Sequence, residues 1–182
     1  MKTAVILFEN LEEIEAFTQI DLLRRAGIQV DTYGYKNQKL TGSHKIVFES
    51  DFIFKKPSDI CTEDYHALIL PGGKGIYDLV DEKPVLEVIQ NFKRSEKIIF
   101  AICAAPLLLD KADVLDSKSY TCYPGTDSKM KNKLKEKSKT IKNGNIITVE
   151  GIGSAIDGAL LLIETFLGKS KKDDIARQIV YY

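Results

Sequence analysis

Short apolar runs alternate with amphipathic segments along most of the chain. The runs are rich in aliphatic side chains, which is typical of strands buried on both faces of a parallel sheet. Four of them predict strands, at residues 3–8, 28–35, 67–70 and 97–102. Apolar residues at helical spacing predict helices from Ile14 to Arg25 and from Val85 to Phe92. The alternation predicts an α/β fold in which helices cover both faces of a mostly parallel sheet.

The remaining segments are less regular. Three short extended pieces, grouped as a small hairpin beside the main sheet, are predicted at residues 39–41, 46–48 and 52–54. A second hairpin is predicted over residues 139–149, where Asn143-Gly144 is a strong turn signal. Further helices are predicted over residues 105–115, from Ala155 to Leu167 with Gly168 ending the helix, and from Lys171 to Val180.

Length and charge narrow the possible partners. The chain has 182 residues, which fits one domain over residues 1–182. Its 26 basic and 26 acidic side chains balance, so we expect neither nucleic acid nor a membrane as a partner. The lysine-rich stretch 128–142 is interpreted as a solvated loop and an edge strand. The first apolar run is too short for a signal peptide, and we expect a cytoplasmic protein.

The sequence shows no pattern typical of a disulfide framework, a metal site or a phosphate-binding cofactor site. An odd number of cysteines, Cys61, Cys103 and Cys122, does not suggest a disulfide framework. His44 and His66 have no second ligand at helical or knuckle spacing, so no metal site is predicted. The glycine-rich residues 71–75 lack the ending of a phosphate-binding loop, and no cofactor is expected.

The residues that follow three predicted strands carry the candidate chemistry. Ligands of open α/β sheets bind beyond the carboxyl ends of the strands, where residues 9–15, 71–73 and 103–106 should converge. Cys103 ends a strand and opens a helix, and we expect the helix dipole to lower the pKa of its thiol. Backbone N–H groups of Gly73 and Ala104 are candidates for an oxyanion hole. The alternative is that Cys103 is a small buried core residue.

Five motifs in the same order resemble a known family. They are LEEIEA, LRRAG, LPGG, AICAAP and GIGSAID. Together they are similar to the ThiJ/PfpI superfamily, specifically its DJ-1 branch. The resemblance implies a flavodoxin-like three-layer sandwich, also similar to class I glutamine amidotransferases, and a homodimer that packs early helices together.

The resemblance also implies roles for individual residues. Cys103 is then the nucleophile, Glu15 the protonated carboxyl that touches its sulfur, and Gly73 and Ala104 the backbone donors. The residues lining the substrate pocket are then Gly72, Tyr123 and Pro124. Without the resemblance, Glu15 would be interpreted as one more exposed carboxylate at the start of a helix, like Glu12 and Glu13.

Two departures from the family's pattern limit the activity. Tyr123 stands where some members have a histidine, and Ala104 stands where protease-like members have one, so a peptidase would lack its base. The resemblance implies a cofactor-free, glyoxalase-like or deglycase-like enzyme for small carbonyls such as methylglyoxal. The alternative is a redox-responsive stress protein or chaperone in which Cys103 becomes a sulfinate. Cys122 is interpreted either as a resolving thiol or as an inert buried cysteine.

Overall fold

The main sheet contains seven strands and is parallel except at one edge. The computed structural model describes residues 1–115, 119–132 and 138–181. The strands within these ranges are β1 (Lys2–Leu7), β2 (Gln29–Tyr35), β3 (Lys39–Thr41), β4 (Val47–Glu49), β5 (Phe52–Phe54), β6 (Ala67–Leu70), β7 (Ile98–Ile102), β8 (Thr140–Asn143) and β9 (Ile146–Val149). The main sheet has the order β5-β2-β1-β6-β7-β9-β8, and only β8 runs antiparallel to its neighbour.

Helices cover both faces of this sheet. They are α1 (Glu13–Arg25), α2 (Ile76–Leu79), α3 (Lys83–Arg94), α4 (Pro106–Lys111) and α5 (Ala155–Gln178). One layer consists of α1 packed against α5, where the side-chain Nε2 of Gln19 donates to the carbonyl of Ala155 at 2.9 Å. The other layer contains α3 and α4, which contact each other and the central strands. The predicted three-layer α/β sandwich with a mostly parallel, flavodoxin-like sheet is therefore confirmed.

The central strands have the burial expected of a sheet covered on both faces. All four residues of β6 are buried, as are the last four residues of β7 and all of β9. Within the described ranges, the helices are too short or too polar to cross a lipid bilayer.

The structure agrees with the predicted elements at one peripheral segment and differs from them at two others. The first two short pieces form the predicted hairpin, since β3 pairs antiparallel with β4. The third piece does not belong to that hairpin: β5 joins the main sheet parallel to β2, because the fully buried Phe54 packs against Tyr35 with ring centroids 4.9 Å apart. The two predicted closing helices run on as α5, which is interrupted at Gly168.

Candidate active site

Four neighbouring parallel strands end at one edge of the sheet and bring the candidate residues together. The order β1-β6-β7-β9 places the segments that follow these strands side by side. The loop after β1 pairs with the turn after β6 through an antiparallel bridge between Leu11 and Gly73. The predicted convergence after β1, β6 and β7 is confirmed, and β9 adds a fourth segment at Gly151 and Ile152.

Cys103 adopts a backbone conformation that is unusual for a residue with a side chain. Its φ of 64° lies in the left-handed region, which costs on the order of 1–3 kcal/mol and persists only where the surroundings enforce it. Here Cys103 N donates to Val149 O at 2.9 Å, and Cys103 O accepts from Tyr123 N at 2.8 Å. These bonds hold the residue from both sides. The side chain is half-buried, so Cys103 is not the sealed core cysteine of the alternative interpretation.

Glu15 lies in the first turn of α1 with its side chain directed into the protein. Only 1% of the residue is exposed, which excludes the interpretation of Glu15 as a surface carboxylate. Its Oε2 accepts from Gly72 N at 3.1 Å, and its own backbone N–H donates to Glu12 Oε2 at 2.8 Å. Glu12 therefore holds the backbone of Glu15, and the Gly72 N–H holds its carboxyl group.

Gly72 allows the carboxyl and the cysteine to approach each other. A Cβ atom at position 72 would lie 2.4 Å from Glu15 Oε2 and 2.6 Å from Cys103 Cβ. Both separations are far below van der Waals contact, so a side chain at this position would push the two groups apart. The absence of a side chain at Gly72 therefore allows Glu15 and Cys103 to lie next to each other.

Burial and a neighbouring charge alter the ionisation of Glu15. Burial raises the pKa of its carboxyl from 4.5 to about 7, and the negative charge of Glu12 acts in the same direction. Interaction with Cys103 and the backbone N–H groups of Gly72 and Ile152 oppose the rise. The predicted protonation of Glu15 is thus physically favoured up to neutral pH.

The expected lowering of the Cys103 pKa by a helix dipole is wrong. Burial is the largest influence and raises the pKa of the thiol, and the charge and hydrogen bond of the Glu15 carboxyl raise it further. The backbone N–H groups of Ala104 and Gly73, the two predicted donors, lower it. Helix α4 contributes little, because it starts only at Pro106 and has just six residues.

Glu15 and Cys103 are best described as one coupled pair. The Glu15 carboxyl raises the pKa of the Cys103 thiol, whereas the hydrogen bond with Cys103 lowers the pKa of Glu15, so the pair resists carrying two charges. A thiolate beside a neutral carboxyl has the same total charge as a thiol beside a carboxylate. The N–H donors of Gly73 and Ala104 favour the first arrangement, which is the nucleophilic one, whereas burial of the sulfur and the N–H groups of Gly72 and Ile152 at the carboxyl favour the second.

The rim of the site comes from the turn before Thr126, beyond α4, and from the segment after β9. Tyr123 is 54% exposed, and Pro124 follows it in the same exposed turn. A Cβ atom on Gly151 would lie 3.6 Å from Tyr123 Cδ2 and 3.8 Å from Glu15 Oε1, so Gly151 forms the floor between them. Gly151 and Ile152 were not among the site residues predicted from the sequence, although both lie within three residues of the end of the apolar run 146–149.

The second cysteine near the site is a poor nucleophile. Cys122 is only 3% exposed, and burial raises the pKa of its thiol to about 11. These properties fit the interpretation of an inert buried cysteine better than that of a resolving thiol. Cys61 is exposed and lies before a short 3₁₀ turn elsewhere in the chain.

Neither histidine is free to act as a base for Cys103. His44 Nδ1 lies 3.0 Å from Glu13 Oε2, and its backbone N–H donates to Glu13 Oε1 at 2.7 Å. His66 Nδ1 accepts from Lys2 N at 3.2 Å, at the opposite end of β1. Folding brings Glu12, Glu13 and His44 together in a way that sequence spacing does not reveal. Hydrogen bonds within the group account for this contact, and we assign no metal to it.

Comparisons with known proteins agree with the fold and the motifs. Residues 1–165 match the DJ-1/PfpI family. Protein dj-1beta of Drosophila melanogaster is 30% identical over 97% of this chain and 95% of the relative. A glutathione-independent glyoxalase of Caenorhabditis elegans is 28% identical over 98% of this chain and 96% of its own. Oxidised DJ-1 of Toxoplasma gondii superposes with a TM-score of 0.90 and 28% identity, covering 99% of this chain and 98% of its own.

The family match over residues 1–165 includes all five motifs that suggested the resemblance, and the individual relatives match nearly the whole chain. They therefore confirm the predicted superfamily and its DJ-1 branch. This chain belongs to the DJ-1/PfpI family.

Proposed function

We propose that the protein is a cofactor-free cysteine enzyme that converts small reactive carbonyls, such as methylglyoxal, into hydroxy acids. One observation carries the proposal: a buried carboxyl with a pKa raised to about 7 contacts a partly buried cysteine that the backbone holds in a left-handed conformation. Groups with such perturbed ionisation concentrate at functional sites. The C. elegans relative named a glutathione-independent glyoxalase supports the same reaction class.

The first step is attack of the Cys103 sulfur on the aldehyde carbon. The carbonyl π bond breaks as the carbon–sulfur bond forms, and the oxygen takes a proton from Glu15 to give a hemithioacetal. The N–H groups of Gly73 and Ala104 stabilise negative charge on that oxygen before the proton arrives. Glu15 leaves this step as a carboxylate, which is the form needed next.

The second step moves a proton between adjacent carbons. The Glu15 carboxylate removes the proton from the former aldehyde carbon, giving an enediolate, and returns it to the neighbouring carbon. The proton of the hemithioacetal hydroxyl moves to the oxygen of that neighbouring carbon, and the product is a thioester with Cys103. Water then cleaves the thioester, which releases lactate and restores the thiol. Methylglyoxal and water are consumed and lactate is formed, so the cycle needs no oxidant or reductant.

Lactate formation from methylglyoxal by wild type, Cys103→Ala and Glu15→Gln tests the proposal. We expect wild type to form lactate, Cys103→Ala to lose activity, and Glu15→Gln to lose at least about a hundredfold because it cannot transfer the proton. Cys61→Ser is the matched control, since it removes an exposed thiol elsewhere in the chain. Equal rates for wild type and Cys103→Ala would refute the proposal.

The second candidate function is a redox role for Cys103. It is supported by the similarity to a Toxoplasma gondii DJ-1 whose structure is of the oxidised form. Two peroxide equivalents would convert the Cys103 thiolate to a sulfinate, each supplying one oxygen atom and releasing water. Protonated Glu15 and the N–H groups near the sulfur would then hydrogen-bond the added oxygens. Peptide mass spectrometry after mild peroxide treatment tests this role: oxidation should appear first at Cys103, and earlier oxidation of Cys61 or Cys122 would contradict it.

A further inference from the structure

Glu12 connects the elements that carry the reacting pair. Its backbone N–H donates to Gly72 O at 2.9 Å, which joins the loop after β1 to the turn after β6. Its Oε2 accepts from Glu15 N at 2.8 Å and caps the first turn of α1. The same residue therefore fixes the start of the helix that carries Glu15 and the glycine that donates to the Glu15 carboxyl.

The cap also places a second carboxylate beside Glu15. Most of the Glu12 side chain is withdrawn from solvent, with 13% exposed, so water screens its charge less than that of a surface carboxylate. The His44 ring lies closer to Glu13 than to Glu12: its Nδ1 is 3.8 Å from Glu12 Oε1 and 3.0 Å from Glu13 Oε2. Glu13, rather than Glu12, is therefore the hydrogen-bond partner of His44.

We infer that Glu12 is a positioning residue that shifts the shared proton towards Glu15 and thereby favours the nucleophilic form of Cys103. This inference deepens the proposed function, because it takes Glu15 and Cys103 as the reacting pair. The repulsion between the carboxylate of Glu12, at the N-cap of α1, and that of Glu15, three residues later, disfavours the arrangement with ionised Glu15 and a neutral thiol. The alternative arrangement, with neutral Glu15 and a thiolate, avoids this repulsion.

Other ionisable groups around the pair do not provide the same effect. On the β6 and β9 sides, Gly72 and Ile152 contribute only backbone N–H groups to Glu15. Cys103 itself responds chiefly to burial and to Glu15 rather than to Glu12. Within the part of the chain that the structure describes, Tyr123 lies on the rim of the site, and Glu13 and His44, behind Glu12, bind each other.

Glu12→Gln separates the charge of Glu12 from its capping role. The amide oxygen of glutamine still accepts from Glu15 N, whereas the negative charge is lost. Glu12→Ala removes both the charge and the cap. Glu9→Gln is the matched control, since Glu9 lies in the same loop and its Oε2 accepts from Thr41 N at 3.0 Å rather than from α1.

The measurement is the rate at which uncharged iodoacetamide alkylates Cys103, followed by peptide mass spectrometry from pH 5 to 9 in a Cys61→Ser background. We expect Glu12→Gln to slow the reaction near pH 7 by about three- to tenfold, because the proton moves from Glu15 to the sulfur. Glu12→Ala should show the same slowing and a lower melting temperature. Glu9→Gln should follow the wild-type profile.

A merely structural cap predicts a different result: Glu12→Gln would match wild type at every pH, and only Glu12→Ala would change. That outcome would overturn the inference, even if wild type formed lactate from methylglyoxal. If Glu12→Gln slowed alkylation in a protein that formed no lactate, the inference would stand and the proposed substrate would be wrong.

Discussion

At the scale of single residues, Glu15 links the stability of the fold to pH. Burial raises the pKa of its carboxyl in the folded protein to about 7, compared with 4.5 in an unperturbed chain. Between these values the native state binds more protons than the unfolded state, so the free energy of unfolding falls as pH rises through this window. Ionised Glu15 is therefore a stability cost above neutral pH.

Glu15→Gln should remove that cost, because glutamine resembles the protonated carboxyl in shape and stays neutral. We expect the variant to gain stability relative to wild type between pH 5 and pH 8, by up to about 3 kcal/mol. Urea unfolding at the two pH values measures the change, with Glu9→Gln as the control. A stability difference that is the same at both pH values would contradict the predicted ionisation of Glu15.

A substitution at Gly72 tests whether the close approach of Glu15 and Cys103 is required. Gly72→Ala adds a Cβ atom 2.4 Å from Glu15 Oε2 and should destabilise the protein by about 1–3 kcal/mol while slowing alkylation of Cys103. Gly153→Ala is the matched control, because a Cβ atom there meets nothing within 4 Å. Thermal unfolding and alkylation rates test both variants. Wild-type behaviour of Gly72→Ala would show that the close approach is not required.

At the scale of elements, Gly168 interrupts α5 for a conformational reason. Its φ of 81° and ψ of 171° lie in a region that is accessible essentially only to glycine, although a Cβ atom would meet nothing within 4 Å. Helix propensity alone would predict that Gly168→Ala stabilises a helix by about 1 kcal/mol. We instead expect a loss of about 1–3 kcal/mol in urea unfolding. Stabilisation would mean that the helix straightens in the variant.

The sequence predicted the elements that form the centre of the sheet but not all the edge pairings. Strands β1, β6 and β7 are continuous apolar runs, and this pattern is sufficient to identify a buried parallel strand. The same pattern does not specify a strand's neighbour. Pairing of β5 with β2 depends on ring packing between Phe54 and Tyr35, and pairing of β9 with β7 depends on sequence-distant contacts.

The candidate site was predictable to a similar extent. Cys103, Glu15, Gly72 and Gly73 follow from strand ends and from family motifs. Ile152 was missed because β9 was expected only as half of a hairpin, and a strand of a hairpin does not by itself indicate an active-site edge. The sign of the Cys103 pKa shift was missed for another reason, because burial and the Glu15 charge depend on how closely distant segments pack.

At the scale of the whole molecule, the face formed by α1 and the β3–β4 hairpin exposes several apolar side chains. Phe17 and Phe48 pack edge to face with ring centroids 5.3 Å apart, which joins the hairpin to the helix. Around this contact, Ile14, Ile46 and Val47 are each more than half exposed. Apolar side chains grouped on a soluble surface are typical of an interface, which supports the proposed homodimer through early helices.

Ile14→Lys tests this arrangement. In a twofold-symmetric dimer each substitution occurs on both partners, so an interface residue introduces two like charges into one apolar contact. We expect wild type to sediment at twice the chain mass of 20.4 kDa and Ile14→Lys to sediment as a single chain with an unchanged melting profile at low concentration. Val180→Lys, which places lysine at an exposed apolar residue after α5, should remain dimeric. A wild-type protein that sediments at the mass of one chain would refute the dimer. A dimeric Ile14→Lys variant would show that the dimer interface does not include this part of α1.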